Sequence, residues 1–390
     1  MRNKLIIFLI IFIISTCSSQ QYALKWNIDN AKIDSTIDSI FHEMSMTGLA
    51  VAIVNEDSIA YEYYNGYKSL PGEHTKGIIL ENFDLFRIAS ISKTFVATAI
   101  MQLCERGALS LKDDAQKYLS FPLRNPSHPD DEITIEMLLT HTSSINDSRK
   151  YWSIDLINPK KDQNYNGCYS PTKPGSQYKY CNLNYNLLGA IIENITGKRF
   201  DEVIHKNILS PLGINGGYNC NSLDSTKFVK LYKYNNELGI YIESKEAYKP
   251  YNYQLGSNYI IEKYTGLLSP CGGMKITARD LARYMIMHMY GGKTNKTQII
   301  NEKSESLIRE NYVGKYNYGY SFRQYKNLNP TGTLYGQTGG AYGMKSAMIF
   351  DPEKKIGFVI LCSGSKSKYI DGFGDIHKPI IKTIYSIING

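Results

Sequence analysis

Runs of strand-forming residues lie near both ends of the chain, and the long segment between them has a mostly helical pattern. Near the N-terminus, the apolar run 48–54 is followed by turn residues at 55–58 and then by IAYEYYNGY, which predicts a β-hairpin. The C-terminal third contains four more strand-like runs: YGYSF, LYGQTGGAYG, KSAMIFD and KIGFVILCS. Strands at both ends with helices between them predict an α/β (α+β) fold whose sheet is completed by the C-terminal part of the chain.

Helical patterns organise the rest of the sequence. Helices are predicted in the segments 31–44, 95–104, 184–195 and about 377–388. Thr277 is a predicted N-cap for one further helix. We expect two lobes, an α/β lobe from about 30–85 and 270–390 and a mainly helical lobe from about 86–269. The tyrosine-rich stretch 220–265 is predicted to be an inserted hairpin or long excursion within the helical lobe.

The first residues have the pattern of an export signal. Two basic residues precede the unbroken apolar run 5–14, whose ten residues are too few to span a bilayer. Small residues then lead to Cys17, as in a bacterial lipobox, so we expect a lipoprotein signal peptide at 1–16 and a lipid anchor on Cys17. Ser18 after the cysteine favours the outer membrane in diderm bacteria. An ordinary cleaved signal and an uncleaved anchor are the alternatives, and each places the domain at 24–390 in the cell envelope.

Composition and cysteine spacing exclude several classes of function. The formal net charge is +8, but the basic residues are scattered and no nucleic-acid-binding motif accompanies them, so no nucleic-acid partner is expected. Neither an H-E-x-x-H motif nor an EF-hand loop occurs, and we expect no metal and no cofactor. Apart from Cys17, six cysteines remain at wide spacing without a C-x-x-C pair. This excludes a dense disulfide scaffold, although one or two bridges could form in an oxidising compartment.

The stretch FRIASISKTF combines a serine with a lysine three residues later. A serine hydroxyl is a poor nucleophile at neutral pH and needs a neighbouring base. On a helix, residues i and i+3 share a face, which places the amine of Lys93 beside the hydroxyl of Ser90, whereas Ser92 points away. A helix start would also favour developing negative charge at Ser90. The alternative is that Ser90 caps a helix and Lys93 is a surface charge, since S-x-x-K occurs often by chance.

Two further motifs accompany this pair. Tyr180 and Asn182 lie two residues apart, just before the helix predicted at 184–195. Near the C-terminus, the segment 337–340, with the sequence QTGG, lies on a predicted strand. Cys181, between the tyrosine and the asparagine, is interpreted as a small filling residue rather than a nucleophile.

With these motifs the chain resembles the serine β-lactamase and penicillin-binding-protein superfamily, and within it class C β-lactamases and D-alanyl-D-alanine carboxypeptidases. The resemblance extends over most of residues 31–385 and includes S-x-x-K, Y-x-N and the blocks ITIEMLLTHTSSI, LLGAIIENITGKRF and CGGMKITARDLARYM. It implies an antiparallel sheet flanked by N- and C-terminal helices, with a mainly helical second lobe. His141, in the first of these blocks, is expected to be structural.

The resemblance also implies roles for individual residues. Ser90 would attack a carbonyl group and form an acyl-enzyme, while Lys93 and Tyr180 would share the work of the general base. Asn182 would bind the substrate amide and the lysine amine. The backbone N–H groups of Ser90 and Gly340 would form the oxyanion hole. The expected substrate is a small peptide, ester or β-lactam-like molecule, and the protein is expected to be a monomer.

One position departs from the superfamily pattern. The third motif is commonly K-T-G or H-T-G, but here it is Gln337, Thr338 and Gly339. Gln337 is neutral, so the cation that would face a substrate carboxylate is missing at this position. An esterase, amidase or D-peptidase with altered substrate recognition fits this change. A β-lactamase, or a catalytically degenerate penicillin-binding or sensing protein, is the alternative. A cation from the 220–265 insertion would be one replacement.

Overall fold

The computed structural model describes residues 29–248, 255–310, 312–329, 332–367, 369–370 and 373–389. The α-helices in these residues are α1 (Asn30–Glu43), α2 (Ser92–Glu105), α3 (Ile135–Leu139), α4 (Asn182–Thr196), α5 (Phe200–Ile204), α6 (Thr265–Leu268), α7 (Ala278–Met289), α8 (Glu302–Arg309) and α9 (His377–Asn389). The strands are β1 (Gly48–Asn55), β2 (Ser58–Ser69), β3 (Ile78–Ile79), β4 (Phe86–Arg87), β5 (Gly216–Gly217), β6 (Tyr232–Asn235), β7 (Ile240–Glu243), β8 (Lys275–Ile276), β9 (Arg323–Asn329), β10 (Gly332–Ala341), β11 (Met344–Asp351), β12 (Ile356–Cys362), β13 (Tyr369–Ile370) and β14 (Phe373–Gly374).

The main sheet joins the two ends of the chain. Its strand order is β3-β2-β1-β12-β11-β10-β9, and each neighbouring pair is antiparallel. The predicted hairpin forms β1 and β2, and β1 pairs on its other side with the C-terminal strand β12, with Val51 opposite Ile360. The prediction of an α/β (α+β) fold whose sheet is completed by the C-terminal strands is therefore confirmed.

Both faces are buried at the centre of this sheet, where β1 and β12 are apolar along nearly their whole length. Alternate side chains of a strand point to opposite faces. Leu49, Val51 and Ile53 of β1 pack with α1 and α9, the N- and C-terminal helices. Ala50 and Ala52 belong to the larger core on the opposite face, which includes α2, α4 and α7. The sheet therefore separates two apolar layers, and the candidate catalytic residues belong to the larger one.

The ends of the helices show why the chain turns where it does. Thr277 caps α7 by accepting a hydrogen bond from the Asp280 backbone N–H at 3.0 Å, as the sequence predicts. Helix α4 ends at Gly197, which has a φ of 64°, a left-handed conformation that glycine adopts without steric cost. The final helix extends to Asn389, one residue beyond the predicted boundary.

A short hairpin formed by β6 and β7 lies within the predicted 220–265 excursion and packs against the main sheet. The Tyr232 backbone N–H donates to the Ser363 carbonyl at 2.9 Å, and the Leu70 N–H donates to the Tyr232 hydroxyl at 2.9 Å. Gly343, in the turn between β10 and β11, has a φ of 93°, and a Cβ there would lie 1.9 Å from the Tyr232 carbonyl oxygen. The hairpin is thus held close to the end of the strand that carries the QTGG motif.

The predicted signal peptide and Cys17 lie outside the described residues. Within the part that the structure describes, no helix has the length and apolar character needed to cross a membrane. No cluster of three or more metal-ligating side chains occurs there either. The six described cysteines are free thiols.

Candidate active site

Ser90 lies in a 3-10 turn rather than in the first turn of an α-helix. The turn is Ala89–Ile91, and α2 begins at Ser92. Ala89 has a φ of 49°, an unfavourable left-handed conformation for a residue with a Cβ. The serine is thereby presented at a tight bend, and the spacing of three residues still places Lys93 beside it.

Lys93 is fully buried, and its amine is surrounded by acceptors from three segments. Its Nζ donates to Ser90 Oγ at 3.2 Å, to Asn182 Oδ1 at 2.8 Å and to the Cys271 carbonyl at 2.7 Å. Burial lowers the pKa of Lys93 to about 8, and the electrostatic attraction of Asp147 opposes this shift. The amine therefore changes its charge close to physiological pH, which is the property that a catalytic lysine needs.

Tyr180 completes the cluster around the serine hydroxyl. Its OH lies 2.8 Å from Ser90 Oγ, and its ring centroid lies 5.0 Å from the Lys93 amine. Tyr180 is 36% exposed whereas Lys93 is 0% exposed, so a substrate can reach the tyrosine and the serine but not the lysine. The sequence-predicted residues Ser90, Lys93, Tyr180 and Asn182 therefore lie in one hydrogen-bonded group.

Asp147 positions Asn182 and was missed in the sequence. Its carboxylate accepts hydrogen bonds from Asn182 Nδ2 at 2.9 Å and from the backbone N–H groups of Asn182 and Leu183 at 2.8 and 3.0 Å. These bonds cap α4 and start it at Asn182, two residues before the predicted boundary. They also turn the Asn182 amide so that its oxygen faces Lys93. No local motif marks Asp147, because its partners lie 35 residues away in the sequence.

The ring of His141 packs against the ring of Tyr180. The histidine is buried and has a φ of 59°, and its ring centroid lies 4.4 Å from that of Tyr180. Its Nδ1 accepts the Cys181 backbone N–H at 3.1 Å, so Nε2 carries the proton and donates to the Tyr318 hydroxyl at 3.1 Å. Burial keeps the pKa of His141 well below its usual value. This neutral histidine is placed to hold the tyrosine ring rather than to transfer protons.

Strand β10 approaches the serine turn closely because it carries glycine there. A Cβ on Gly339 would lie 2.6 Å from the Ile88 carbonyl oxygen and 2.9 Å from the Ser90 nitrogen, closer than side chains pack. The neighbouring Gly340 is exposed at the mouth of the site. The close approach brings the backbone of Gly339 against the N–H of Ser90, and Gly340 follows it directly in the strand.

Strand β10 continues beyond its last pair with β9. The described pairing between the two strands ends at Gly336, which lies opposite Arg323, so the segment from Gln337 onward is not covered by β9. The Gln337 side chain does not line the edge of this segment, because it is 2% exposed and its Nε2 donates to the Ser321 carbonyl at 2.8 Å. Thr338 is also buried, and its backbone N–H donates to Gln337 Oε1 at 3.1 Å.

A cation nevertheless lies at this end of the site, and it comes from β9. Arg323 opposes Gly336 in the strand register, and its Nη2 donates to the Tyr178 hydroxyl at 3.1 Å. Its guanidinium lies 5.2 Å from the centroid of the Tyr318 ring. The electrostatic neighbours of Arg323 are tyrosines, with Tyr180 among them. Arg323 was not recognised in the sequence, and the expectation that a replacement cation comes from the 220–265 insertion stays a prediction.

Comparison with known proteins gives an independent result. A family model described as Beta-lactamase matches residues 33–372. Protein flp of Staphylococcus aureus (strain MRSA252) is 25% identical over 355 residues, which cover 88% of this chain and 64% of flp. The chain therefore spans less than two thirds of the length of that relative.

Two further proteins match over nearly their whole length. The D-alanyl-D-alanine-carboxypeptidase/endopeptidase AmpH of Escherichia coli (strain K12) is 22% identical over 379 residues, which cover 90% of each chain. The crystal structure of D-amino acid amidase from Ochrobactrum anthropi SV3, complexed with D-phenylalanine, has a TM-score of 0.69 at 18% identity. That alignment covers 93% of this chain and 99% of the amidase, and at this identity it shows a shared fold alone.

The capping role of Asp147 can be tested by Asp147→Asn. An amide keeps one acceptor oxygen and adds a donor, so at least one N–H group at the start of α4 loses its partner. We expect the free energy of unfolding, measured by urea denaturation, to fall by about 1–3 kcal/mol. Asp224→Asn is the control, because that carboxylate caps only an exposed 3-10 turn and its loss should change stability by about 0.5 kcal/mol or less. Equal losses in the two variants would contradict the role of Asp147.

Proposed function

The chain belongs to the beta-lactamase family, and from its site we propose that it is a serine hydrolase that forms an acyl-enzyme at Ser90. The observation that carries this proposal is the joint contact of one hydroxyl with two ionisable groups, Lys93 at 3.2 Å and Tyr180 at 2.8 Å. A serine activated in this way is equipped for nucleophilic attack on a carbonyl carbon. A degenerate binding protein would have no need to keep this geometry intact.

Acylation follows from the arrangement of donors and acceptors. With Lys93 as an ammonium group and Tyr180 as a phenolate, Ser90 Oγ attacks the carbonyl carbon and its proton passes to the Tyr180 oxygen. Tyr180 then gives that proton to the leaving group as the bond to the carbonyl carbon breaks. The developing oxyanion accepts hydrogen bonds from the N–H groups of Ser90 and Gly340. Lys93 has acceptors for all three of its ammonium protons, so its charged form stabilises the negative charge shared by the serine and the tyrosine. Water then attacks the acyl-enzyme by the reverse proton path.

The proposed substrate is a peptide, amide or ester with a D-residue at the scissile position and a free carboxylate on the leaving group. The leaving group departs on the side of Tyr180, where Arg323 supplies a half-buried positive charge. A guanidinium pairs well with a planar carboxylate. The names of AmpH and of the D-amino acid amidase support a D-configured substrate. Hydrolysis of a β-lactam, which carries a carboxylate in a similar place, is the second candidate on the same observation.

The location of the enzyme is part of the proposal. The apolar run 5–14 and Cys17 support export and anchoring by lipid in the cell envelope, with the catalytic domain outside the cytoplasm. Peptides with D-residues belong to that compartment in bacteria, so the proposed location and the proposed substrate are compatible.

The charge of Lys93 should appear in the pH profile. Because the pKa of Lys93 is lowered to about 8 and the ammonium form is the active one, kcat/KM for a neutral ester should fall above about pH 8. Asp147→Asn removes a charge that favours the ammonium form, so the descending limb should move to lower pH, whereas Asp224→Asn should leave it in place. A profile that rises through pH 8 would instead identify neutral Lys93 as the base that takes the serine proton.

The role of Arg323 can be tested with a peptide ending in D-alanyl-D-alanine and with its C-terminal amide. The wild type should hydrolyse the free acid with the higher kcat/KM, and the L-alanyl-L-alanine peptide should be a poor substrate. Arg323→Gln should lower kcat/KM for the acid by roughly 10- to 150-fold, because a charge-assisted hydrogen bond contributes about 1.5–3 kcal/mol. The amide should be hardly affected.

Arg106→Gln is the control, because Arg106 is exposed at the end of α2. This variant should leave kcat/KM unchanged for both the acid and the amide. If Arg323→Gln reduces hydrolysis of the acid and the amide equally, the arginine supports the fold of the site and does not recognise the carboxylate.

A further inference from the structure

A large groove begins at the C-terminal end of β10, away from Arg323. Its volume is about 630 Å³, and it starts at Gly340 and Ala341, next to the proposed oxyanion hole. The β10–β11 turn forms its floor, the β6–β7 hairpin forms one wall, and residues 365–367 form the other. The groove therefore begins one residue beyond Gly339, the point at which β10 approaches Ser90, and the β6–β7 hairpin supplies one of its walls.

Three lysines line this groove, and within the described ranges none of them forms an ion pair with a carboxylate. Lys345 donates to Ser365 Oγ at 2.9 Å, and the amine of Lys366 lies 4.9 Å from the centroid of the Tyr234 ring. Lys233 is exposed at the hairpin. The hairpin's own Glu243 pairs outside the groove, with Lys230 at 3.0 Å. Burial lowers the pKa of Lys345, and nearby Asp375 opposes this shift.

The backbone of the hairpin that forms one wall of the groove is packed against the main sheet. The hairpin is bonded through Tyr232 to Ser363 and Leu70, and Gly343 allows its backbone to pack directly against the β10–β11 turn. Three like charges with no paired carboxylate in the described ranges are electrostatically unfavourable together, and they favour an anionic ligand that spans them. The fold therefore sets the backbone positions from which the three lysines reach the groove.

The proton path decides which part of a substrate enters the groove. The leaving group must receive its proton from Tyr180, so it lies on the side of Tyr180 and Arg323. The acyl part then extends along β10 in the opposite direction, past Gly340 and into the groove. We propose that the groove binds acidic side chains in the acyl part of the substrate, so that the natural substrate is an acidic peptide. This inference rests on the proposed acyl-enzyme function.

The experiment compares two p-nitrophenyl esters with the same uncharged leaving group. One carries the acyl group acetyl-Glu-Gly-Glu-D-alanyl, and the other carries acetyl-Gln-Gly-Gln-D-alanyl. At about 10 mM salt the wild type should prefer the acidic ester, and the preference should nearly disappear at about 1 M salt, where the Debye length is only about 3 Å. The double variant Lys233→Gln/Lys366→Gln should lose roughly 2- to 25-fold in kcat/KM for the acidic ester alone, at about 1.5- to 5-fold for each exposed pair.

Lys206→Gln/Lys303→Gln is the matched control, because it removes the same charge from exposed positions that do not line the groove. It should leave both rates unchanged. The groove proposal is overturned if the wild type hydrolyses both esters equally at low salt. It is also overturned if the groove variant, Lys233→Gln/Lys366→Gln, loses the same factor in kcat/KM for both esters.

A binding measurement separates failure of this inference from failure of the proposed function. The amide of the acidic peptide should bind to Ser90→Ala more tightly than the amide of the glutamine peptide, and the groove variant should abolish that difference. If neither ester is hydrolysed but the difference in binding is found, the hydrolase proposal fails and the groove stands. If the two amides bind Ser90→Ala equally, the groove proposal fails whatever the activity.

Discussion

The buried amine of Lys93 is the interaction on which the site depends. Its three acceptors belong to the serine turn, to the start of α4 and to the segment that contains Cys271. A buried ammonium group is strongly unfavourable unless its protons are accepted, so these segments must meet at the amine. The packing of α2 against α4 therefore fixes the catalytic geometry, and the same packing forms much of the larger core. The need to surround the Lys93 amine with acceptors therefore constrains both the packing of the core and the geometry of the site.

Strand β10 runs past Ser90, and different charged groups lie towards its two ends. It approaches the serine turn through Gly339, and the edge that pairs with β9 up to Gly336 continues past Ser90 without β9 beside it. Arg323 lies at one end of this edge, and the groove lined by Lys233, Lys345 and Lys366 begins at the other. The net charge of +8 is thus partly organised around the cleft, although it appears scattered in the sequence. Selectivity would then come from strand β9 and the inserted hairpin, while the chemistry comes from the shared cluster.

Local patterns were enough to predict the sheet and the contact between Ser90 and Lys93. The apolar run at β1 and the turn after it specify a hairpin through neighbouring residues alone, and the spacing from Ser90 to Lys93 brings them together in a 3-10 turn as well as in an α-helix. The start of α4 could not be predicted in the same way, because its cap, Asp147, comes from a distant loop. The surroundings of Gln337 and Arg323 also could not be predicted from neighbouring residues in the sequence. Whether a side chain on or beside a strand is buried, or reaches the cleft, depends on neighbouring segments that no local pattern describes.

The most direct test of the account is covalent labelling of the folded protein with a fluorophosphonate probe, followed by mass spectrometry of the intact chain and of its peptides. The account predicts one adduct per chain, on the peptide that contains Ser90, and its loss in Ser90→Ala. Ser92→Ala should still be labelled, because the Ser92 hydroxyl is buried and accepts the Met274 N–H at 3.0 Å. A folded wild-type protein without an adduct, or an adduct that persists in Ser90→Ala, would contradict the claim that Ser90 is the activated nucleophile.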